Sequence, residues 1–472
     1  MKQCCNFIHP MKYTLPLILV ICLCLIISCA KDDFNTSPDV RIEFSSDTLK
    51  FDTVFVSAGS VTKTLKIINP NDEKISISSI ELSGGLQSAF KLNVDGSSGP
   101  SASNKEILAN DSLYIFVTVN INPNAAATPF LVTDSIRIDL NGRIRQVQLQ
   151  AFGQNARYLS STVLTTNTQW DNALPYVILG GLLVDTGVTL TINPGTRVYL
   201  HADAPLIVDG TLITNGTKLD SVSFLGDRLD NEYKDLPAGW PGIYFRGSSI
   251  NNSLEYTNIK NAYRGIVVDQ PSPGLAKLDL RQCTIDNIYD AGLMGINTSI
   301  NAVNCQISNC GINILVTNGG VYNFYNCTVA SYNSLFIQHK KPVIVMSNWD
   351  SITFLKTYDL QANLINNIFW GESGTVENEV LVSKRGNNPF NILMENNIYK
   401  AQTPPPNTTL VGNLLNTPPL FDSINEIDRY YDFRINKYPS PAINAGKNIG
   451  VTIDRDGNPR DAQPDIGSYE KQ

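Results

Sequence analysis

Apolar and polar positions repeat with a fixed period through the central part of this chain. One short pattern has a small residue, then an aliphatic residue two positions on, then a polar residue two positions further. It occurs four times, at steps of 26, 22 and 22 residues. A period in the twenties is typical of stacked supersecondary units, and apolar positions two apart predict β-strands within each unit. The copies are Thr257-x-Ile259-x-Asn261, Cys283-x-Ile285-x-Asn287, Cys305-x-Ile307-x-Asn309 and Cys327-x-Val329-x-Ser331.

A second short strand is indicated after each of the first three copies by a glycine followed by an aliphatic residue. Three strands and three turns per repeat predict a parallel β-helix whose coils stack at about 4.8 Å. Equivalent side chains then lie above one another, so Cys283, Cys305 and Cys327 are expected to form an inward column. Asn287 and Asn309 fall at strand ends, where asparagine tolerates the left-handed backbone of a tight turn and can hydrogen-bond from coil to coil.

Weaker copies of the pattern follow at Asn366-x-Ile368 and Asn396-x-Ile398. The longer gap before the first of them predicts that residues from about Ile337 to Leu360 bulge out of the stack. That loop carries His339, Lys340, Lys341 and Trp349. We expect His201 and His339 to be surface or turn residues.

Residues 39–155 show a different pattern, with apolar and polar residues alternating in about seven short runs. Leu65 and Ile67 alternate in this way, and Asn141-Gly142 between two such runs predicts a hairpin. The pattern predicts an immunoglobulin-like sandwich. The stretch Phe51-Asp52-Thr53-Val54-Phe55 resembles the sandwich modules that precede β-helices in Bacteroidetes-type surface lipoproteins. We expect a spacer or docking module, with carbohydrate binding by its loops left open.

Residues 156–472 carry a second resemblance. Leu190-Thr191-Ile192-Asn193-Pro194-Gly195-Thr196 and Gly239-Trp240-Pro241-Gly242-Ile243 are similar to coils of right-handed parallel β-helix proteins in the pectate-lyase-like superfamily. Residues from about 415 to 472, including Pro464-Asp465-Ile466-Gly467-Ser468-Tyr469-Glu470, resemble the closing segment of such proteins. The resemblance implies that this segment caps the last coil. It specifies the fold alone, because related folds include lyases, hydrolases, epimerases and adhesins.

The first residues indicate an export signal, assigned to residues 1–28, followed by a tether at 29–38. Ile26-Ile27-Ser28-Cys29 resembles a bacterial lipobox, which implies cleavage before Cys29 and acylation of that residue. Ala30-Lys31-Asp32-Asp33 resembles the tag of some Bacteroidetes-type lipoproteins that reach the outer face of the outer membrane. The alternative is an ordinary signal peptide that contains a cysteine.

Charge and cysteine content narrow the classes of function. The 472 residues carry 17% charged side chains and a net charge of −7, which argues against a nucleic-acid surface. Of nine cysteines, five lie in the leader and lipid site and four, Cys283, Cys305, Cys310 and Cys327, in the repeat region. A column of reduced thiols and a partial set of disulfides both remain open. A zinc site is not expected, since no Cys-x-x-Cys motif is present.

The search for chemistry gives candidates without a defined reaction. The Asp-Asp and Gly-His-Gly motifs of pectin hydrolases with this fold are missing from the predicted β-helix. A cluster of charged and aromatic residues, from which we take Asp227, Arg228, Asp230, Asp235 and Trp240 as ligand-binding candidates, fits sugar hydroxyls or calcium, or else a solvated loop. Asp454 and Asp456 resemble part of a calcium loop, but the terminal glutamate of that motif is missing, which favours a capping turn.

The sequence therefore predicts a lipid-anchored outer-membrane protein exposed at the cell surface. Its expected function is non-catalytic binding of a glycan or a protein partner along the β-helix. The alternatives are a polysaccharide lyase or hydrolase of the pectate-lyase-like superfamily and a structural surface-layer role.

Overall fold

The computed structural model describes residues 33–56, 59–126, 128–272, 274, 276–350 and 353–472. Within these ranges there is no α-helix, and one short 3-10 turn spans Gly85–Gln87. No helix in the described parts has the length and apolar composition that a membrane crossing requires. The predicted leader, Cys29 and most of the tether lie outside the described residues. Two compact units divide the chain, one ending at Gly153 and the other comprising Ala125–Thr128 and Gln154–Gln472.

The first unit is an immunoglobulin-like sandwich of two five-stranded sheets around one apolar core. The strand orders are β1-β3-β8-β5-β6 and β2-β10-β9-β4-β7. Leu65 and Ile67 are fully buried, as their alternation predicts. The strands are β1 Glu43–Phe44, β2 Thr48–Phe55, β3 Lys63–Ile68, β4 Ile75–Leu82, β5 Phe90–Val94, β6 Ser97–Gly99, β7 Ser101–Ile107, β8 Ser112–Val119, β9 Phe130–Leu140 and β10 Arg143–Gln154.

The Asn141-Gly142 hairpin is confirmed. Leu140 pairs with Arg143 across it, and both turn residues have positive φ, 52° for Asn141 and 80° for Gly142. Positive φ at both central residues defines the type I′ turn that suits the twist of two antiparallel strands. Asn141 also ties down the segment before the sandwich, because its amide donates to the carbonyls of Asn35 and Ser37.

The second unit is built on one parallel sheet of 26 short strands. Its strands are β11 Arg157–Leu164, β12 Thr168–Trp170, β13 Tyr176–Val184, β14 Thr189–Ile192, β15 Arg197–Leu200, β16 Leu206–Val208, β17 Thr211–Asn215, β18 Val222–Gly226, β19 Ile243–Phe245, β20 Asn252–Glu255, β21 Thr257–Lys260, β22 Ile266–Asp269, β23 Leu278–Arg281, β24 Thr284–Asp286, β25 Ala291–Val303, β26 Gln306–Ser308, β27 Ile312–Tyr325, β28 Thr328–Ser331, β29 Ile344–Ser347, β30 Leu360–Ile365, β31 Ile368–Gly371, β32 Val380–Ser383, β33 Phe390–Glu395, β34 Ile398–Tyr399, β35 Thr408–Val411 and β36 Leu414–Leu415. A two-stranded hairpin, β37 Ser423–Asn425 and β38 Tyr430–Asp432, follows.

Most strands of this sheet pair with the third strand after them, so the pairings form three columns of parallel strands. The first column runs β15-β18-β21-β24-β26-β28-β31-β34-β36. The second column contains β16, β19, β22, β29 and β32, and the third contains β14, β17, β20, β23, β30, β33 and β35. The long strands β25 and β27 contribute to both the second and the third column.

The predicted column of cysteines is present in the first column of strands. Ile285 pairs with Ile307 and Ile307 with Val329, which places the preceding cysteines of these strands above one another. The thiols of Cys283, Cys305, Cys310 and Cys327 are all free and buried. Burial raises the pKa of Cys283, Cys305 and Cys310, so these thiols stay protonated and unreactive.

The two weaker copies of the pattern, at Asn366-x-Ile368 and Asn396-x-Ile398, are shifted by one residue from the predicted alignment with Cys327-x-Val329. Thr328 pairs with Ile368, so Asn367 rather than Asn366 continues the cysteine column, followed by Asn397 and Asn413. A shift of one residue exchanges the two faces of a strand. Each buried amide is satisfied: the Asn367 carbonyl oxygen accepts from the Cys327 N–H at 2.9 Å, and its amide donates to the Phe324 carbonyl at 2.9 Å.

The stretch predicted to bulge between Ile337 and Leu360 is not one loop. Strand β29 lies inside it, in register with β27 on one side and β32 on the other. Two shorter loops, 332–343 and 348–359, therefore leave the sheet. The apolar residues Ile344 and Met346 of β29 are fully buried. The sequence pattern did not predict this strand, because the two loops that flank it interrupt the regular spacing of the repeats.

The C-terminal segment, residues 416–472, lies along the first column and leaves Leu410 and Leu415 of the last two strands 39% and 40% exposed. Ser468 donates to the Thr328 hydroxyl at 3.0 Å, and the Tyr469 hydroxyl donates to Gln306 at 2.8 Å. Asn304 and Asn366 reach out from the turns and donate to segment carbonyls at 2.7 and 2.8 Å. The expected cap is thus a lateral cover, which buries outward positions of the first column. Its apolar contacts include Ala330, Ile368, Ile398, Phe433, Ile466 and Tyr469.

A fully buried lysine fastens two turns of the second unit. The Lys277 ammonium donates to the carbonyls of Arg246, Gly247 and Asp269 at 2.9, 3.0 and 2.7 Å. Burial lowers its pKa, and the charge of Asp269 offsets part of that effect. Three donors meet three acceptors, so the ammonium is fully satisfied.

We predict that Lys277→Met lowers the free energy of unfolding by on the order of 3 kcal/mol, because three buried carbonyls lose their donor. Urea unfolding followed by tryptophan fluorescence measures this, since all four tryptophans belong to the second unit. Lys260→Met is the matched control. Its half-exposed ammonium lies 3.7 Å from Asp286, so about 1 kcal/mol or less is expected. Equal stabilities of the two variants would contradict the role given to Lys277.

Candidate functional site

The residues predicted to bind a ligand lie in the 227–240 loop, which joins β18 to β19. Asp227 begins this loop, and one of its carboxylate oxygens lies 2.7 Å from Nδ1 of His201. Its other oxygen is buried and has no hydrogen-bond partner among the described residues. Burial, together with the Asp227 charge, raises the pKa of Tyr158 to about 12. Tyr158 is therefore a neutral group at physiological pH.

Arg228 and Asp230 form an ion pair inside the loop. The guanidinium donates to both carboxylate oxygens, at 2.8 and 3.1 Å, and lies 3.9 Å from the centre of the Tyr233 ring. The hydrogen bond to Asp230 raises the pKa of Arg228. Asp230 is 8% exposed, and its carbonyl accepts from the backbone of Tyr233 and Lys234. These contacts hold the loop in shape and leave little of Asp230 for a ligand.

Trp240 lies in the core instead of on the surface. Its side chain is 1% exposed, and its indole N–H donates to the carbonyl of Lys260 at 2.8 Å. A backbone bridge to Ala262 makes it part of the sheet. Trp240 therefore has no surface to offer a ligand, and the structure corrects its prediction as a binding residue. A glycine and a proline beside an aromatic residue suit both a binding loop and a coil corner, so the local sequence could not separate the two.

Asp235 lines a polar cleft of about 170 Å³. Arg429 donates to the Asp235 carbonyl at 2.9 Å, so two stretches far apart in sequence form the cleft together. The hydroxyl of Tyr431 is buried without a hydrogen-bond partner among the described residues, and burial raises its pKa to about 12. The volume is below the roughly 300 to 1,000 Å³ of typical small-molecule sites. Asn261, Asn287 and Asn309 of the predicted turn column also line it.

Asp454 and Asp456, which resemble part of a calcium loop, accept hydrogen bonds from different parts of the chain. Asp454 is 1% exposed and accepts from the backbone of Asn458 and Glu470 at 2.7 and 3.0 Å. Asp456 accepts from the guanidinium of Arg434 at 2.8 Å. No three acidic, histidine or cysteine side chains converge as metal ligands anywhere in the described ranges. The arrangement is that of a capping turn.

A buried histidine–carboxylate pair was missed by the sequence reading. His339 is 4% exposed, contrary to the expected surface position, and its Nε2 lies 2.8 Å from Oε1 of Glu379. The second oxygen of Glu379 accepts from the backbone of Val343 at 3.2 Å. The pair joins the 332–343 loop to the start of β32. Its members are 40 residues apart in sequence, so no local motif announces it.

A groove of about 830 Å³, here named the amide groove, lies beside the third column of the second unit. Two of its lining residues, Asn301 and Asn323, belong to a row of amides on neighbouring strands. Asn301 donates to Asp279 at 2.9 Å, Asn323 to Asn301 at 2.8 Å and Asn363 to Asn323 at 2.8 Å. Asn301 and Asn323 each use one of their two amide hydrogens in this row, so each has a second hydrogen to donate.

One wall of the amide groove comes from the 348–359 loop. The Thr357 hydroxyl donates to Asn388 at 2.6 Å, and Asn388 donates to Asp359 at 2.9 Å, which fixes this wall. Asp359 is the single charged side chain among the described lining residues, and Tyr358 and the half-exposed Val321 add apolar surface. The groove is therefore nearly neutral and rich in hydrogen-bonding groups. None of the residues predicted as ligand contacts lies in it.

The chain matches no known family model and no curated protein. Weak structural similarity extends to a family 123 glycoside hydrolase from Clostridium perfringens, with 9% identity over 26% of this chain and 30% of that one and a TM-score of 0.19. A PapD-like domain of human CEP192 gives 11% identity, 33% and 96% coverage and a TM-score of 0.17. The Salmonella enterica SafA pilin in complex with the SafB chaperone is 13% identical over 25% of this chain and 55% of that one, with a TM-score of 0.17. Scores at this level establish no shared function.

We predict that Trp240→Ala lowers the free energy of unfolding by about 3–5 kcal/mol, because a large buried side chain leaves a cavity. Tyr233→Ala, which removes a half-exposed ring from the same loop, should cost about 1 kcal/mol or less. Urea unfolding followed by circular dichroism compares the two. Similar losses for both variants would contradict the core position of Trp240.

Proposed function

We propose that this protein is a surface-anchored binding protein that holds a neutral glycan in the amide groove, without cleaving it. We propose further that the 26-stranded sheet is a right-handed parallel β-helix of the pectate-lyase-like kind. Pairing of most strands with the third one after them supports a coiled path, and right-handed crossovers between parallel strands are the general rule.

The observation that carries the proposal is the row of amides, in which Asn301 and Asn323 line a groove with one charged side chain among its described lining residues. Stacked strands repeat at about 4.8 Å, so the remaining donors of Asn301 and Asn323 are spaced by about that interval. A regular polymer with hydroxyl groups along its length can meet such a row several times. Near-neutral lining favours uncharged sugars, since a polyanion would gain no ion pair there. Sugar rings also have apolar faces, which Val321 and Tyr358 can contact.

Binding without cleavage is the simplest role for this geometry. A glycosidase ordinarily needs two carboxyl groups, about 5 to 9.5 Å apart, flanking the bond to be broken. The described lining of the groove contributes one, Asp359, and it is already held by Asn388. The alternative of a lyase or hydrolase stays an outcome of the test below.

The proposed location is the outer membrane, with the protein exposed at the cell surface through acylated Cys29. This part rests on the lipobox resemblance of the sequence, since Cys29 lies outside the described residues. A protein anchored in this way would meet polysaccharides or other surface proteins outside the cell.

We predict that Asn323→Leu weakens retention on the best-bound neutral polysaccharide by about tenfold, because it removes a central donor of the row and breaks two of its hydrogen bonds. Affinity electrophoresis or calorimetry with a panel of neutral and uronate-containing polysaccharides measures this. Asn258→Leu is the control, as Asn258 lies on a strand of the first column. Equal binding by both variants, or a preference for polyanions, would overturn the amide groove as the site. New chain ends in the panel would show an enzyme.

We predict that Cys29→Ala releases the protein from the membrane fraction, because acyl chains give firm anchoring only when attached. Cell fractionation and immunoblotting provide the measurement, with Cys310→Ala as a control that leaves the leader intact. Tight membrane retention of the Cys29 variant would refute the lipid anchor.

A further inference from the structure

We propose that the end of the parallel sheet at β35 and β36 is a docking surface for a second copy of this chain. The two copies would meet about a twofold axis, with β35 pairing antiparallel to its own equivalent. The proposal does not depend on the glycan-binding function, since the amide groove lies beside the third column and not at the sheet's end.

The interior of the second unit is open at this end. Leu410 pairs with Met394, and Leu415 with Tyr399, so both leucines occupy the inward positions of the last strands. Met394 and Tyr399 are 0% and 2% exposed, whereas Leu410 and Leu415 are 39% and 40% exposed. No further strand lies over them among the described residues. Two core leucines are thus left in contact with solvent.

The backbone at this end also lacks a partner on one side. Among the described registers, β35 pairs with β33 and β36 with β34, and neither has a strand on its other side. A free edge of this kind is a template for another strand. The C-terminal segment does not protect it, because that segment lies along the first column. None of the four residues of β35, Thr408–Val411, is a proline, so each backbone N–H that points to the free edge is able to donate to a second strand.

The absence of charge at this end favours an identical surface as the partner. Residues 401–420 contain no charged side chain, although 17% of the whole chain is charged. A twofold contact brings each residue close to its own equivalent or to a near neighbour, so any charge in it would meet a like charge. An uncharged end avoids this repulsion. Antiparallel pairing of β35 with itself satisfies both edges at once and covers Leu410 and Leu415 of both copies.

The first test is the mass of the full mature chain in solution over a range of concentrations. Sedimentation velocity should show two copies at high concentration, dissociating on dilution. Leu410→Asp should shift the dissociation constant at least tenfold toward the single copy, because each twofold contact gains two buried charges. Leu381→Asp is the matched control: Leu381 is an exposed strand leucine of the second column, 46% exposed, and its replacement should leave the association unchanged.

The second test does not rely on a charge that could disturb folding. Thr409→Cys and Val411→Cys place single thiols on β35, while the four described cysteines stay buried. A short bis-maleimide should join two copies through these positions, with the cross-linked peptide identified by mass spectrometry. Leu381→Cys should give no such product.

Each outcome decides the matter. A dimer lost in Leu410→Asp and cross-linked through β35 supports the proposal. A single copy at every concentration, or a dimer that survives Leu410→Asp without cross-linking at β35, overturns it. Masses that grow beyond two copies indicate head-to-tail contact and overturn the twofold arrangement. If a glycan bound to a single copy protects the β35 thiols from the maleimide, this end is a glycan-binding surface, and the dimer proposal is overturned.

Discussion

The second unit depends on the in-register stacking of equivalent side chains in the first column. Three small thiols and a run of aliphatic residues fill its interior until Cys327, and beyond that point buried amides replace the thiols. A buried amide is costly unless every donor and acceptor is used. A peptide N–H beside the preceding strand of the column and a carbonyl at the end of a neighbouring strand provide those partners at each step. A thiol and a fully hydrogen-bonded amide can thus each fill the same narrow interior position, which repeats from strand to strand along the first column.

The same column explains the path of the C-terminal segment. Its outward positions change from polar to apolar along the stack, from Gln306 to Ile368 and Ile398, and the apolar ones are buried under the segment. A buried ion pair, Arg460 with Glu470 at 2.8 Å, fixes the segment's end. Burial lowers the pKa of Arg460 and raises that of Glu470, so each charge needs the other to remain ionised. The Arg460 guanidinium also donates to Asn304 in a turn of the stack.

A segment that runs along one side leaves other surfaces of the second unit free. The C-terminal segment covers part of the first column, and the third column borders the amide groove. The last strands, β35 and β36, are each paired on one side only among the described residues. Surfaces with different chemistry therefore coexist on one repeating framework. The groove offers a regular row of amide donors, whereas the end offers an unpaired backbone and two leucines. Neither surface uses the charged 227–240 loop, whose Arg228 and Asp230 satisfy each other.

The sequence by itself determined the all-β class, the sandwich hairpin at Asn141-Gly142 and the column of Cys283, Cys305 and Cys327. Local alternation and a constant period carry that information, because strand faces and stacking follow directly from spacing. It did not determine the register at Asn367, the strand hidden at Ile344–Ser347 or the burial of Trp240 and His339. Those depend on partners 20 to 40 residues away, reached through loops that interrupt the period. The amide groove was likewise invisible, since its row joins strands from separate repeats and its walls come from two further loops. Only the tertiary structure brings such residues within hydrogen-bonding distance.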